Sequence, residues 1–427
     1  MKAIKTRLII MNFLIFAVWG AYLCSLGIYL GRVNMGSDIG QFFAIQGIVS
    51  LFMPALTGII ADRWVPAQRL LSLCHLIAAI FMGIAGYMGQ KNGDNVKFGQ
   101  IFPYYAVSVA FFMPTISLGN SVSYYGLTKA GLDTVKSFPP IRVFGTVGFI
   151  VSMWIVNFTG FKNSYAQLYV SAAWGVILAI YALTLPNCKI TKKTEDSNLV
   201  DTLGLRAFTL FKKRNMCVFF IFSFLLGMCL QVTNGFATTY LDTFGQSEKY
   251  ANTFAVKNNV FLSSISQVSE TLCILLIPFF LKRFGIKNVM LIAFAAWALR
   301  FFLLGIGSPT GFGLVLFILS MIVYGVAFDF YNISGSLFVE ESTDEEIRSS
   351  AQGVFMMMTN GFGATIGSYC AQAVINKFTL NKPNFDELMK GWSISWYIFA
   401  GFALVVGILF AFLFRYKHRK EPENPRI

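Results

Sequence analysis

Long apolar runs dominate the chain and are separated by mostly short polar segments. Each run is long enough to cross about 30 Å of hydrocarbon as an α-helix. Many exceed that minimum, which predicts tilted helices or helices that extend past the lipid headgroups. Twelve such runs lie near residues 8–30, 40–61, 68–89, 99–126, 139–159, 164–186, 215–239, 253–281, 286–306, 311–339, 349–376 and 392–414. The pattern therefore predicts an all-α membrane protein with twelve transmembrane helices.

The longest polar segment separates the first six runs from the last six, and it is basic. We therefore expect an N-terminal six-helix bundle (1–186), a cytoplasmic linker (187–214) and a C-terminal six-helix bundle with a short cytoplasmic tail (215–427). Two six-helix halves around such a linker are typical of the major facilitator fold, in which substrate binds near the midplane between the halves.

The loop between the second and third runs supports this interpretation. It reads GIIADRWVPAQR from Gly58 to Arg69 and resembles the G-x-x-x-D-R-x-x-x-R motif of the major facilitator superfamily. Gly58 is expected to allow a close approach of two helices, and Asp62 to cap or pair with a neighbouring helix end. An ordinary charged turn is the alternative.

Composition agrees with a membrane protein, because 56% of the 427 residues are hydrophobic and only 13% are charged. A soluble chain carries about 25% charged residues. The net charge of +14 could suggest a nucleic-acid partner. With the N-terminus in the cytoplasm, however, the inside segments hold more than twice as many Lys and Arg residues as the outside segments. The basic residues therefore predict topology, with both termini cytoplasmic, and no nucleic acid is expected.

The cysteines and histidines predict no metal site or cofactor. Six of the seven cysteines fall within apolar runs, and the two histidines cannot build a metal site between them. His75 is interpreted as a packed or interfacial side chain rather than a proton relay. Because no nucleophile–base pair is evident either, the chain is not expected to be an enzyme.

Few charged residues interrupt the apolar runs. Only two carboxyl groups, Glu270 and Asp329, lie deep within runs. Two arginines, Arg142 and Arg300, also lie within runs. We interpret the Arg300 side chain as extending to the outer membrane surface. A charge at the bilayer centre costs on the order of 3 kcal/mol or more, and such residues mark ion or proton pathways. Glu270 and Asp329 are therefore the candidates for proton coupling.

Other polar and aromatic residues share a helix face with these charges, because residues three or four apart on a helix are neighbours. Amides that only join helices are the alternative. The stripes are Arg142, Thr146 and Phe149 in the fifth run, Gln231 and Asn234 in the seventh, Gln267 and Glu270 in the eighth, and Tyr324, Phe328, Asp329 and the supporting Asn332 in the tenth.

These side chains suit a flat ligand with many hydrogen-bonding groups. Amides offer paired donors and acceptors, and aromatic rings stack on planar faces. A nucleobase with its ribose fits this chemistry, and a sugar fits it about as well. The residue types alone leave both open.

Longer stretches resemble a known family. FMPALTGIIADRW, NSVSYYGL, FPPIRVFGTVGFI, SISQVSETLCILLIPFF, GIKNVM and MIVYGVAFDFYNISGS are similar to the bacterial nucleoside:proton symporters of the major facilitator superfamily. The resemblance runs from the first apolar run to the last. FPPIR and FDFYNISGS are its most specific parts, and they make a sugar substrate less favoured.

The resemblance implies uptake of nucleosides with protons across the bacterial inner membrane by alternating access. Asp329 is similar to the family's acidic residue suited to coupling. Uridine, adenosine and similar nucleosides are the expected substrates, and we expect a monomer. The implied binding residues are Arg142, Thr146, Phe149, Gln231, Asn234, Gln267, Glu270, Tyr324 and Phe328.

Three alternatives stay open. A transporter of the same fold for sugars, drugs or other small metabolites is one, and an uncoupled nucleoside facilitator is another. A non-transporting receptor is the third, although neither the linker nor the tail RYKHRKEPENPRI is large enough for an output domain. Purine or pyrimidine preference and coupling stoichiometry are not predicted.

Overall fold

The computed structural model describes residues 2–190 and 205–416, and the secondary structure within these ranges is helical. The middle of the predicted linker, residues 191–204, and the predicted tail from 417 onward lie outside the described residues. The all-α prediction is confirmed. The longer helices are α1 Lys2–Gly20, α2 Leu26–Arg32, α3 Ile39–Ser50, α4 Met53–Arg63, α5 Ala67–Asn92, α6 Phe98–Phe112, α7 Thr115–Lys129, α8 Thr134–Phe158, α9 Ala166–Ala182, α10 Arg214–Thr243, α11 Asn259–Ile306, α12 Gly311–Ser342, α13 Glu345–Met356, α14 Ala364–Thr379 and α15 Phe385–Leu413.

Helix occupies each of the twelve predicted runs, but helices and runs do not correspond one to one. Within the described residues, nine helical segments are long and apolar enough to cross a membrane. α11 covers both the eighth and the ninth run, which meet at Gly285, where φ is 74°. A shorter apolar helix, α9, covers the sixth run. The number twelve therefore stays a prediction.

Several predicted runs are built from two helices. The first contains α1 and α2, and the fourth contains α6 and α7, which are separated at Met113 and Pro114. Proline lacks the N–H that would continue the helical hydrogen bonds, so Pro114 ends α6. In the eleventh run a π-helical segment, Met357–Gly363, joins α13 to α14. Such departures from α-helix are tolerated in membranes where neighbouring protein groups surround them.

Glycines let two pairs of helical segments approach closely. A Cβ at Gly148 in α8 would lie 2.8 Å from the carbonyl carbon of Phe13 in α1. One at Gly227 in α10 would lie 2.8 Å from the carbonyl carbon of Thr359 in the π-helical segment. Small residues allow this backbone contact in membrane bundles. Gly58 does not act in this way, because a Cβ there meets no atom of the described residues within 4 Å. The prediction for Gly58 is therefore wrong, and the Asp62 side chain is outside the described part of the structure.

We expect Gly148→Ala to lower stability by about 1–3 kcal/mol, because overpacking forces α1 and α8 apart. Thermal unfolding in detergent measures the effect. Gly401→Ala is the matched control, because a Cβ at Gly401 in α15 meets none of the described atoms within 4 Å. Equal melting temperatures for the two variants would show that the close approach of α1 and α8 is not required.

The segments before and after the linker are joined near one end of the molecule. Trp154 Nε1 donates to Ser264 Oγ at 2.9 Å, linking α8 to α11. The backbone N–H of Gly40 in α3 donates to Gln372 Oε1 in α14 at 2.6 Å. This end carries Arg32, Lys162 and Lys257, which the charge bias predicts to be outside, and we name it the outer end.

Lys162 forms the most extensive of these contacts. Its side chain is only 4% exposed. Nζ donates to the carbonyl oxygens of Val256 at 3.2 Å and Lys257 at 2.7 Å, and to Asn259 Oδ1 at 2.7 Å. Asn259 Nδ2 in turn donates to Asp242 Oδ1 at 2.9 Å. We name Lys162, Val256, Lys257, Asn259 and Asp242 the outer latch.

The Lys162 ammonium keeps its charge at neutral pH in this arrangement. Burial lowers the pKa of Lys162 to about 8, and the Asp242 carboxylate opposes that shift while Arg32 adds to it. Because pH 7 lies below that pKa, most of the Lys162 side chains are protonated there. The latch therefore consists of charge-assisted hydrogen bonds, which are stronger than neutral ones.

Candidate functional site

Opposite charges from three helices interact between the two segments of the chain. Arg142 on α8 interacts through its charge with Glu270 on α11 and with Asp329 on α12. Glu270 and Asp329 also interact with each other. The Asp329 side chain is 5% exposed, and its Oδ2 atom has no hydrogen-bond partner among the described residues. The cluster thus combines one cation from the N-terminal segment with two carboxyl groups from the C-terminal segment.

An aromatic face lies beside the two carboxyl groups. The rings of Tyr324 and Phe328 on α12 are nearly parallel, at 7°, with centroids 5.9 Å apart. Tyr324 interacts electrostatically with both Glu270 and Asp329. The edge-to-face contact of Trp297 with Tyr324, at 5.9 Å and 89°, fixes the ring from α11. A planar ligand could stack here beside the carboxyl groups.

A second aromatic group supports Arg142 from the N-terminal segment. The Arg142 guanidinium carbon lies 3.9 Å from the centroid of the Phe16 ring. Trp19 contacts Phe16 with centroids 6.3 Å apart and meets Phe149 edge to face at 6.1 Å. The cation–π contact orients the guanidinium of Arg142. Phe149 therefore belongs to the same aromatic group as the residues that hold Arg142.

Five other predicted residues are less closely tied to this cluster: Thr146, Gln231, Asn234, Gln267 and Asn332. Among the described residues, no side-chain hydrogen bond links these five to Arg142, Glu270 or Asp329. Their role in binding stays a prediction. Gln231 is buried, and Thr146, Asn234, Gln267 and Asn332 are half-buried.

Gln46 is a residue that the sequence interpretation missed. Its Oε1 accepts a hydrogen bond from Trp19 Nε1 at 3.3 Å, and its Nε2 donates to Tyr105 OH at 3.2 Å. Gln46 is buried, and it holds the indole that contacts Phe16 and Phe149. The signal was one glutamine within the apolar stretch FFAIQGIVS. Spacing did not single it out, because the polar residue on the same face, Ser50, is neither charged nor an amide.

The interpretation of Arg300 is wrong, whereas the packed position expected for His75 is confirmed. Arg300 does not reach the membrane surface, because its side chain is 3% exposed and contacts Thr233 and Ser320. His75 is fully buried and packs edge to face on Phe112, with centroids 5.9 Å apart. Internal hydrogen-bond acceptors therefore hold Arg300 inside the bundle.

The residues described above form a polar, aromatic site between two helical segments. Sequence comparison identifies the family of the chain. A family model described as "Nucleoside H+ symporter" matches residues 1–419. The chain belongs to the nucleoside H+ symporter family. The nucleoside permease NupG of Escherichia coli is 45% identical over 421 residues, which are 98% of each chain. The xanthosine permease of the same organism is 44% identical over 423 residues, again 98% of each.

A solved structure from this nucleoside H+ symporter family shows the same fold. The crystal structure of the nucleoside transporter NupG superposes with a TM-score of 0.87 at 45% identity, covering 97% of this chain and 100% of that chain. The prediction of a major facilitator fold is confirmed. The chain is thus a membrane transporter by family, as these relatives are, rather than an enzyme.

Proposed function

We propose that this chain takes up nucleosides together with protons across the bacterial inner membrane, by alternating access. The observation that carries the proposal is the charge cluster of Arg142 with Glu270 and Asp329, to which both segments of the chain contribute. Family membership adds the substrate class. We further propose six-helix halves at 1–186 and 215–427, twelve spans, cytoplasmic termini and a monomeric state.

The nucleoside would lie between Arg142 and the Tyr324–Phe328 face. The base stacks on these rings, and the amides of the C-terminal half pair with its polar edge. Glu270 and Arg142 are the charged groups for the ribose hydroxyls, because hydrogen bonds to ionised groups are the stronger ones. Phe149 and Thr146 complete the N-terminal side. The C-terminal side of the site is completed by Gln231, Asn234 and Gln267.

Proton coupling follows from the charges that face each other. An ionised Glu270 or Asp329 attracts Arg142 across the gap between the halves. Protonation removes one negative charge and weakens that attraction, which changes the relative stability of the conformations open to either side. Asp329 is the candidate for this step, because its Oδ2 atom has no partner among the described residues. Asn332 supports it from the same helix face.

Uptake of radiolabelled uridine into proteoliposomes with an imposed pH gradient tests the proposal. We expect accumulation that a protonophore abolishes, because one proton per nucleoside at a one-unit gradient supplies about 1.4 kcal/mol. Uptake that only equilibrates would identify a facilitator. Competition by free hexoses and not by nucleosides would identify a sugar transporter. Absence of uptake of any nucleoside would contradict the substrate class.

A further inference from the structure

Arg300 is a buried cation that three helices hold in place. Its Nε donates to Thr233 Oγ1 on α10 at 3.3 Å, and its Nη1 donates to the carbonyl oxygen of Ser320 on α12 at 2.6 Å. Ser320 Oγ donates back to the carbonyl oxygen of Arg300 at 3.1 Å. The direction of the guanidinium plane is therefore set by partners on two helices other than its own.

The same guanidinium contacts a ring of the candidate site. The Arg300 carbon Cζ lies 4.8 Å from the centroid of Tyr324, within the range of a cation–π interaction. Trp297 contacts that ring edge to face, and Phe328 lies parallel to it. Tyr324 is thus held by a cation and an indole, while it faces Phe328 and the two carboxyl groups.

A surface anchor and a simple link between helices are two other roles open to Arg300. A surface anchor is excluded by the burial of Arg300. The two hydrogen bonds to Thr233 and Ser320 would be enough to join the helices. They do not account for the cation–π contact with Tyr324. Lysine could supply the charge, but not the planar fork that reaches two acceptors while it lies against a ring. The contacts therefore favour a role for the shape of the guanidinium.

We propose that Arg300 is a positioning residue for nucleoside binding, which fixes the Tyr324 ring at the angle that lets a nucleobase stack on the Tyr324–Phe328 face. This inference rests on the proposed function. Arg300 does not touch the substrate in this proposal. It acts through Tyr324, and Thr233 acts through Arg300.

The test compares Arg300→Lys with the wild type in uridine uptake by proteoliposomes, with KM and Vmax measured separately. We expect KM to rise about three- to tenfold while Vmax changes less than about twofold. Lysine keeps the charge but not the planar contact that holds the Tyr324 ring, and weakening a desolvated cation–π contact reduces binding by about that factor. Uridine should also raise the melting temperature of the variant less than that of the wild type. Thr233→Val, which removes one acceptor and keeps the side-chain shape, should raise KM in the same direction by less.

Arg283→Lys is the matched control, because Arg283 lies on the same helix, is exposed and contacts the Phe284 ring at 5.8 Å. An unchanged KM in Arg300→Lys, with or without a lower melting temperature, would overturn the proposal and leave a structural role. If Arg300→Lys does not fold, Thr233→Val decides the question by its KM alone. Failure of the proposed function is a different result, namely no uridine uptake by the wild type.

Discussion

Asp329→Asn should no longer accumulate uridine against a gradient, although it should still exchange uridine across the membrane. Asparagine keeps the size and the hydrogen-bonding capacity of the side chain, and it cannot bind the transported proton. A one-unit pH gradient can drive about tenfold accumulation at one proton per nucleoside. In the variant the ratio of internal to external uridine should fall to about one. Proteoliposomes with an imposed pH gradient measure accumulation, and counterflow from uridine-loaded vesicles measures exchange.

Glu270→Gln distinguishes the role of Glu270 from that of Asp329. If Glu270 contacts the nucleoside, this variant loses exchange as well as accumulation, because binding itself is weakened. Asp386→Asn serves as the control, because Asp386 is exposed in the first turn of α15. Tenfold accumulation by both Asp329→Asn and Glu270→Gln would contradict coupling through these residues. Lost exchange in Asp329→Asn would show that Asp329 binds substrate too.

Lys162→Ala should weaken the contacts that join the two segments of the chain at the outer end. The change removes three hydrogen bonds from a buried ammonium group, and each such bond contributes roughly 1.5–3 kcal/mol. It also takes one donor from each of the two carbonyl groups and from Asn259 Oδ1, which still accepts from the Val260 N–H. We expect amide hydrogen exchange in residues 157–163 and 254–262 to become at least about tenfold faster. Mass spectrometry of the intact transporter in detergent or nanodiscs measures this exchange.

Lys257→Ala is the control for the latch. The side chain of Lys257 is exposed, and the latch uses only its carbonyl oxygen. The alanine variant should therefore exchange like the wild type. Equal exchange in Lys162→Ala and the wild type would show that other contacts, such as Trp154 with Ser264, close this end without Lys162. The same variants should be assayed for uptake, which we expect to slow only in Lys162→Ala.

The sequence predicted the helices well, because apolar runs and i, i+3 spacing are properties of single segments. The stripe with Gln267 and Glu270 and the stripe with Tyr324, Phe328 and Asp329 could be found in this way. The meeting of Arg142 with Glu270 could not be derived from spacing, because the two are more than a hundred residues apart. Only the resemblance to a family placed them in one site.

Other features depended on partners that a single segment does not show. Arg300 was misinterpreted because its place along a run indicates depth, whereas its burial depends on Thr233 and Ser320 on other helices. Gln46 was missed for the same reason, since its partners Trp19 and Tyr105 come from two further runs. Gly58 was assigned a packing role from a motif, and in the part of the chain that the structure describes no atom is near enough to require a glycine there.

The donor and the acceptors of the outer latch differ in how much sequence change they tolerate. Two of its three acceptors are main-chain oxygens, which almost any residue at positions 256 and 257 would supply. The donor is one side chain, and the Lys162 ammonium donates to all three acceptors. Sequence change at positions 256 and 257 can therefore leave this closure intact, whereas one codon at position 162 suffices to lose its donor.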